Sequence, residues 1–394
     1  MEGKAESHNY RYTRWLRNCS DAQMKIKSFE FSLRELAGSF GDFGTLFPLA
    51  IGYIVVCGMD PAGLLVLMGL ANIATGLVYG LPMPIEPMKV LAVFAIAQRW
   101  PPSLVYASGF AMGAIWLVFG LTGVMKWVAR ITPRSVIRGI QISLGVLLAI
   151  EAFKLIATGW MIGLLSVAIV LVLRDNRYAP AAVMLILLGV AIMGFRGDLQ
   201  KVSGLAFRLP PLTGFRLEEV WRALLLAGFA QIPLTATNAV ISTSSLISRY
   251  WPDRPVSESR LAVNMGVMNL VLPFFGGMPL CHGAGGLAGQ YFFGARTGGT
   301  NILEGLIEIS LGLFLASSIA TLFASFPTAI IGAMMFLVGV ELVKFARDVK
   351  IGWDLIPMGA TVAVSLITNM AFGFAAGLAV HYILQLLLKR KERG

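Results

Sequence analysis

Charge is scarce in this sequence. Asp, Glu, Lys and Arg make up 13% of its 394 residues, against roughly 25% in an average soluble domain. With 57% hydrophobic residues and a mean hydropathy of +0.75, the chain reads as one whose main solvent is lipid. Cysteine is almost absent: Cys19, Cys57 and Cys281 are odd in number and scattered, which excludes a disulfide framework or a cysteine metal cluster. His8, His282 and His381 are equally dispersed, and neither a C-x-x-C pair nor an H-E-x-x-H motif occurs, so no metal and no cofactor are expected. A nucleophile with its base, or paired acids at helical spacing, is also missing, and an enzyme is not expected. The stretch from Met1 to Ser28 is polar, carries both signs of charge and lacks the apolar core of a cleavable signal. Insertion is expected to begin with the first membrane helix.

What the chain has instead is apolar runs, among them Leu64 to Tyr79, Met112 to Met125, Gly163 to Leu173 and Ala371 to Leu388. A bilayer core takes about 20 apolar residues per helix, so the shorter runs predict tilted, broken or half-length helices. Read with the Gly, Pro and charge punctuation, the sequence predicts an all-α integral membrane protein of about fourteen segments between Leu36 and Leu388. The formal charge of +11 is spread over short clusters between apolar runs, which is a topology signal and not a nucleic-acid surface. The clusters are Arg11 to Arg34, Lys126 to Arg134, Arg174 with Arg177, Arg249 to Arg260, Lys344 to Lys350, and Lys389 to Arg393. By the positive-inside rule all are cytoplasmic, as are both termini, in a plasma or bacterial inner membrane. Arg196 to Arg216 breaks the alternation and is assigned to an external connector.

The strongest internal signal is a duplication. Met68 to Pro82 recurs as Met265 to Pro279, with Met, Gly, Asn, Gly and Pro at identical spacing, and the same offset sets Arg99 opposite Arg296. Leu36-Ala37-Gly38 matches Leu226-Ala227-Gly228, Thr45 matches Thr235, and Pro133 with Gly145-Val146 matches Pro327 with Gly339-Val340. An odd number of segments per half, about seven, turns the second copy upside down, as in inverted-repeat transporters. The expected division is a cytoplasmic stretch 1–30, a first repeat 31–195, the connector 196–217, a second repeat 218–388 and a cytoplasmic end 389–394.

After the matched Pro82 and Pro279 the halves read PMPIEPMKVLAV and PLCHGAGGLAGQ, too rich in Pro or Gly for an uninterrupted helix. Each predicts a short extended piece followed by a half-helix, at segments three and ten. Two half-helix N-termini converging at the midplane would make an anion site. Gly283, Ala284, Gly285 and Gly286 begin the second half-helix and leave its amides accessible; close helix packing by small residues is the alternative. Glu86 and Lys89 stand three apart at the first half-helix: Lys89 either offsets a bound anion or pairs internally with Glu86. His282 could donate to an anion or sense pH, or be a structural histidine. Gln231, Thr235 and Asn238 lie in a Pro-broken segment and are either oxyanion ligands or interhelical glue. Asp42, between glycines that suggest a broken first helix, is a cap or a coupling site for a proton; Glu86 is a second coupling candidate. Glu151, Lys154, Glu304, Glu308 and Glu341 read as helix-end or interhelical pairs with no transport role. A bulky residue at Gly283 or Gly285 is expected to abolish binding, and one at Gly377 to be milder.

GDFGTLFPL (Gly41 to Leu49), PMPIEPMK (Pro82 to Lys89), QIPLTATNAVI (Gln231 to Ile241) and CHGAGGLAGQYFFGARTGG (Cys281 to Gly299) resemble the molybdate transporter family, related to the sulfate permeases. The resemblance implies the fourteen-segment fold shared with uracil permeases. On that template a core domain, about 36–125 plus 218–324, moves against a gate domain, about 126–195 plus 325–388. It places the anion between segments three and ten, with Thr45 added to the site residues above. The family commonly has Gln where this chain has Glu86. Sulfate permeases often carry a C-terminal regulatory domain, and none is expected here. The implied function is secondary transport of a small tetrahedral oxyanion, molybdate or sulfate, by alternating access, with proton symport and a homodimer as further options. A nucleobase or other anion permease of the same fold, or a passive anion channel, is the alternative.

Overall fold

The structure, a computed structural model, describes residues 24–26, 29–41, 43–124, 127, 130–173, 181–201, 204–349 and 352–391. A small antiparallel hairpin, β1 (Met24–Ile26) with β2 (Phe29–Phe31), opens the described chain, inside the stretch read from sequence as a plain N-terminal segment. Helices α1 (Leu33–Ser39) and α2 (Phe43–Val55) follow; their separation at Phe40–Gly41 is the expected break in the first segment. Next come α3 (Pro61–Tyr79), β3 (Glu86–Pro87), α4 (Lys89–Ala97), α5 (Pro102–Thr122), α6 (Arg134–Ile156), α7 (Trp160–Leu173) and α8 (Ala181–Phe195). The second half runs through α9 (Leu217–Tyr250), α10 (Glu258–Val271), β4 (Leu280–Cys281), α11 (Ala284–Phe293), α12 (Gly299–Ser325), α13 (Thr328–Lys344), α14 (Leu355–Ile367) and α15 (Met370–Lys391).

Local chemistry sets these limits. Helix α3 starts with Pro61 behind Asp60, whose carboxylate accepts from Ala62 N at 2.8 Å and Gly63 N at 3.2 Å, and it ends on Gly80 with φ +61°. Proline at the first position and a left-handed glycine after the last are the usual punctuation of a helix. Among the described residues seven helices are long and apolar enough to cross a membrane, and α7, α8 and α14 are shorter apolar helices. Large side chains stand exposed along them, such as Leu164, Leu165, Phe372 and Leu386. In water such a surface would aggregate; against acyl chains it is the expected coat.

Most of the helix pairings cross the two halves. Helix α3 packs on α12 while its sequence match α10 packs on α5; α6 packs on α13; α14 lies on α6 as α7 lies on α13, and α14 against α15 as α7 against α8. At the α6–α13 crossing the matched Gly145 and Gly339 meet face to face. A Cβ on Gly145 would lie 2.8 Å from the Gly339 carbonyl, and one on Gly339 3.0 Å from the Gly145 carbonyl. Such backbone approach is how small residues hold membrane helices together where no hydrophobic driving force exists between them.

One expectation is corrected. Pro233 does not break its segment: α9 runs on through it, with π-helical turns at Leu224–Gly228 and Thr235–Ser242. A π turn widens the helix and absorbs the hydrogen bond that proline cannot donate.

Candidate functional site

The centre of the fold is a two-residue antiparallel bridge. Glu86 pairs with Cys281 and Pro87 with Leu280, and Met88 N donates to Pro279 O at 2.9 Å. Because the strands are antiparallel and each leads directly into a helix, α4 and α11 leave the bridge in opposite directions with both N-termini beside it. Two asparagines clamp the extended pieces. Asn269 accepts from Leu280 N at 2.8 Å and donates to Leu280 O at 2.6 Å. Asn301 does the same for Met83, accepting at 2.9 Å and donating at 2.6 Å. Asn301 also donates to Asn72 Oδ1 at 2.8 Å, and Asn72 donates to Glu308 Oε2 at 2.9 Å. Each clamp satisfies backbone groups that would otherwise be stranded at membrane depth, where an unmet group costs several kcal/mol.

The two helix starts differ. At α4 the amides of Val90 and Leu91 donate to Gln231 Oε1 at 2.8 and 3.3 Å, and Gln231 Nε2 donates to Thr235 Oγ1 at 2.5 Å. Gln231 and Thr235 therefore form a cap reaching from α9 to α4. At α11 the N-cap position is Gly283 and no side chain caps the first turn. Gly285 is exposed within an otherwise buried stretch, and a Cβ placed on it would meet nothing within 4 Å. An uncapped helix start, with the positive end of its dipole, beside a glycine with open space around it has the elements of an anion site.

Around the strand bridge the structure brings most of the sequence candidates together. Lys89 Nζ lies 2.5 Å from Glu86 Oε2, with Glu86 buried and Lys89 partly exposed, so the internal pair left open by the sequence is formed. Ala284 and Gly286 are buried in the first turn of α11, and Asn238 is half-buried. His282 is buried, its Nδ1 lies 3.2 Å from the Pro84 carbonyl, and its ring meets Tyr79 edge-on at 6.1 Å. Thr45 lies in α2, but its side chain, like the whole of Asp42, falls outside the described residues. Sequence reasoning missed the Asn269 and Asn301 clamps, and Asn72 that supports the second; their signal was an amide at a matched or buried position in an apolar helix.

A cavity of about 680 Å³ continues along α11, lined by Ala288, Gly289, Tyr291 and Phe292 together with Tyr250 and Arg296. Gly285, Ala288, Gly289 and Phe292 share one helix face by their spacing. Tyr250 stacks on Tyr291 at 4.0 Å, and the Arg296 guanidinium sits 3.8 Å above the Tyr291 ring. No group of three His, Cys, Asp or Glu able to hold a metal occurs among the described residues.

The family described as "Molybdate transporter of MFS superfamily" matches residues 34–148 and 223–342, one stretch in each half of the chain. "Molybdate transporter 1" of Arabidopsis thaliana is 34% identical over 407 residues, covering 90% of this chain and 89% of that protein. Among solved structures, the transmembrane domain of the cyanobacterial bicarbonate transporter BicA superposes with a TM-score of 0.65 at 16% identity, over 90% of this chain and 98% of that one. Murine Slc26a9, an anion transporter in the inward-facing state, gives a TM-score of 0.69 at 14% identity, over 95% and 70%. At that identity the likeness is one of fold.

Proposed function

The chain belongs to the molybdate transporter family, and from that premise we propose that it carries molybdate or sulfate through the membrane with the first turn of α11 as the oxyanion cradle. It is an anion transporter with a membrane fold and not an enzyme. The observation that carries the site is the asymmetry at the strand bridge: the α4 amides are occupied by Gln231, while no side chain caps the first turn of α11 and open space lies beside Gly285. A tetrahedral dianion must exchange its hydration for protein donors. The α11 backbone amides and the Asn238 amide supply them, and Lys89 supplies a cation held at the rim by Glu86.

In this reading fourteen segments form two inverted repeats, and a core domain bearing the cradle moves against a gate domain built on α6, α7, α13 and α14. The reciprocal helix pairing and the Gly145–Gly339 contact support it. Both termini are cytoplasmic, in a plasma or bacterial inner membrane, and proton symport through Glu86 or Asp42 and a homodimer complete the proposal. The decisive test is binding of radiolabelled molybdate to purified Gly285→Val, with sulfate as competitor. Loss of binding by a folded variant supports the cradle, and undiminished binding moves the site elsewhere.

A further inference from the structure

Away from the bridge, a second cavity of about 340 Å³ lies where the N-termini of α6 and α14 meet the C-terminal half of α15. Its wall includes Arg130, Arg134, Ser135, Asp354, His381 and Tyr382. None of the elements that form the strand bridge and its cradle contributes to it.

The start of α6 is electrostatically unusual. Its 23 residues follow Pro133, no side chain caps it and no acid stands in its first turn; Arg134 does instead. A cation at that end opposes the helix dipole, which favours negative charge there. One turn on, Arg138 is neutralised by Asp348, with Nη2–Oδ2 at 2.5 Å and Nε–Oδ1 at 2.9 Å. Arg130 and Arg134 make no such salt bridge among the described residues, although Arg134 lies within the field of Asp348. Asp354, the acid on the wall, stands at the N-cap position of α14, where its side chain makes no cap hydrogen bond, so it opposes an anion in the cavity.

The second observation is Ser135. The residue lines the cavity from the first turn of α6 and is 3% exposed, and its buried Oγ has no hydrogen-bond partner among the described residues. A buried hydroxyl left unmet costs about 1–3 kcal/mol, so its presence on a cavity wall points to a ligand that completes it. The Tyr382 hydroxyl is already spent, donating to Ile131 O at 2.7 Å, and His381 Nε2 lies 2.9 Å from Gln385 Nε2. What a ligand meets is two guanidinium groups, one hydroxyl and the uncapped amides of a helix start, with the Asp354 carboxylate opposing them. That is the donor set of an oxyanion site.

We infer that this cavity binds a phosphate-class oxyanion, with Arg130 and Arg134 neutralising its charge and Ser135 Oγ and the first-turn amides of α6 donating to it. The ligand is either a phospholipid headgroup at the membrane face or free inorganic phosphate. Bound there, it ties α6, α14 and α15 together at one end.

The test is thermal stabilisation of the purified full chain in detergent, titrated separately with inorganic phosphate, dioctanoyl phosphatidylglycerol and dioctanoyl phosphatidylcholine. Wild type is compared with Arg130→Gln/Arg134→Gln, Ser135→Ala and Asp354→Asn. The double variant should weaken the stabilising ligand at least tenfold, Ser135→Ala should weaken it less, and Asp354→Asn should tighten it. Saturation by inorganic phosphate identifies a soluble ligand, and a response to phosphatidylglycerol alone identifies a lipid. Equal responses in wild type and the double variant, or a neutral lipid acting as well as the anionic one, overturn the inference. The same titrations on the Gly285→Val background remove any phosphate response of the α11 cradle, so the dependence on Arg130 and Arg134 that remains there is read separately from that cradle.

Discussion

Gly283 sits directly against the carboxylate of Glu86: a Cβ on Gly283 would stand 2.5 Å from Oε2 and 2.7 Å from Oε1. The glycine that opens α11 and the acid that holds Lys89 thus share one space. Gly283→Ala should push Glu86 aside, break the Glu86–Lys89 pair and lower both melting temperature and molybdate uptake. Gly285→Ala, with nothing within 4 Å of its Cβ, should keep the melting temperature and weaken binding alone. Equal melting temperatures for the two variants would mean that Glu86 has room to yield. Gly377 is a poor control for such experiments, contrary to the sequence expectation, because a side chain there would run into Thr361 and Val136; Gly359, with open space around it, serves instead.

Glu86→Gln follows from the same pair. Removing a buried negative charge 2.5 Å from Lys89 Nζ takes away one acid that competes with the incoming anion for the ammonium, and away from bulk water that Coulombic change is large. The variant should bind molybdate several-fold more tightly and flatten any pH dependence of uptake that Glu86 imposes. Binding isotherms and uptake across pH measure both, and an unchanged pair of results would reduce the ion pair to a structural role.

How far the sequence reached can be judged from these residues. The half-helices and their strand lead-ins were legible because Pro82, Pro279 and the following Pro- and Gly-rich stretches contradict a continuous helix. The matched positions were legible too: Gly145 and Gly339, paired by sequence, meet in the structure. The partner of each polar side chain was not. Gln231 reaches amides 141 and 140 positions away, and Asn301 reaches Met83 across 218. Nothing in local pattern distinguishes a cap for a distant helix from a ligand for an anion. Pro233 misled for a different reason: proline forbids one hydrogen bond, but a π turn can absorb the loss without ending the helix.

Gln231→Ala tests that cap. Two buried amides would lose their acceptor, each at a cost of about 1–3 kcal/mol, so the melting temperature should fall and uptake with it. Gln231→Glu keeps an acceptor for Val90 and Leu91 and should recover much of the stability while its charge repels the oxyanion. If Gln231→Ala instead keeps full stability and loses binding, the side chain acts on the anion and not on α4.

The last prediction concerns Arg99, which has φ +50° and is the one non-glycine residue with positive φ among the described residues. It follows the end of α4, where glycine is the comfortable choice, and an L-residue in that conformation costs about 1–2 kcal/mol. Its side chain offers the reason for keeping it. Nη2 lies 3.4 Å from Oε1 of Glu151, a buried acid of α6 that Lys154 also holds at 3.1 Å. In the core-and-gate reading, α4 belongs to the moving domain and α6 to the other, so this tether must open in each transport cycle. Arg99→Gly should relieve the backbone and hold or raise the melting temperature, yet change transport: the tether is lost, and the ratio of inward- to outward-facing chains shifts. Glu151→Gln should shift that ratio the same way without touching the backbone. Cysteine accessibility along the Ala288–Phe292 face of α11, measured from each side of the membrane, reads the ratio. The tether has no part in the cycle if both variants leave accessibility and uptake rate at wild-type values, and Arg99 would then be a strained cap with no transport consequence.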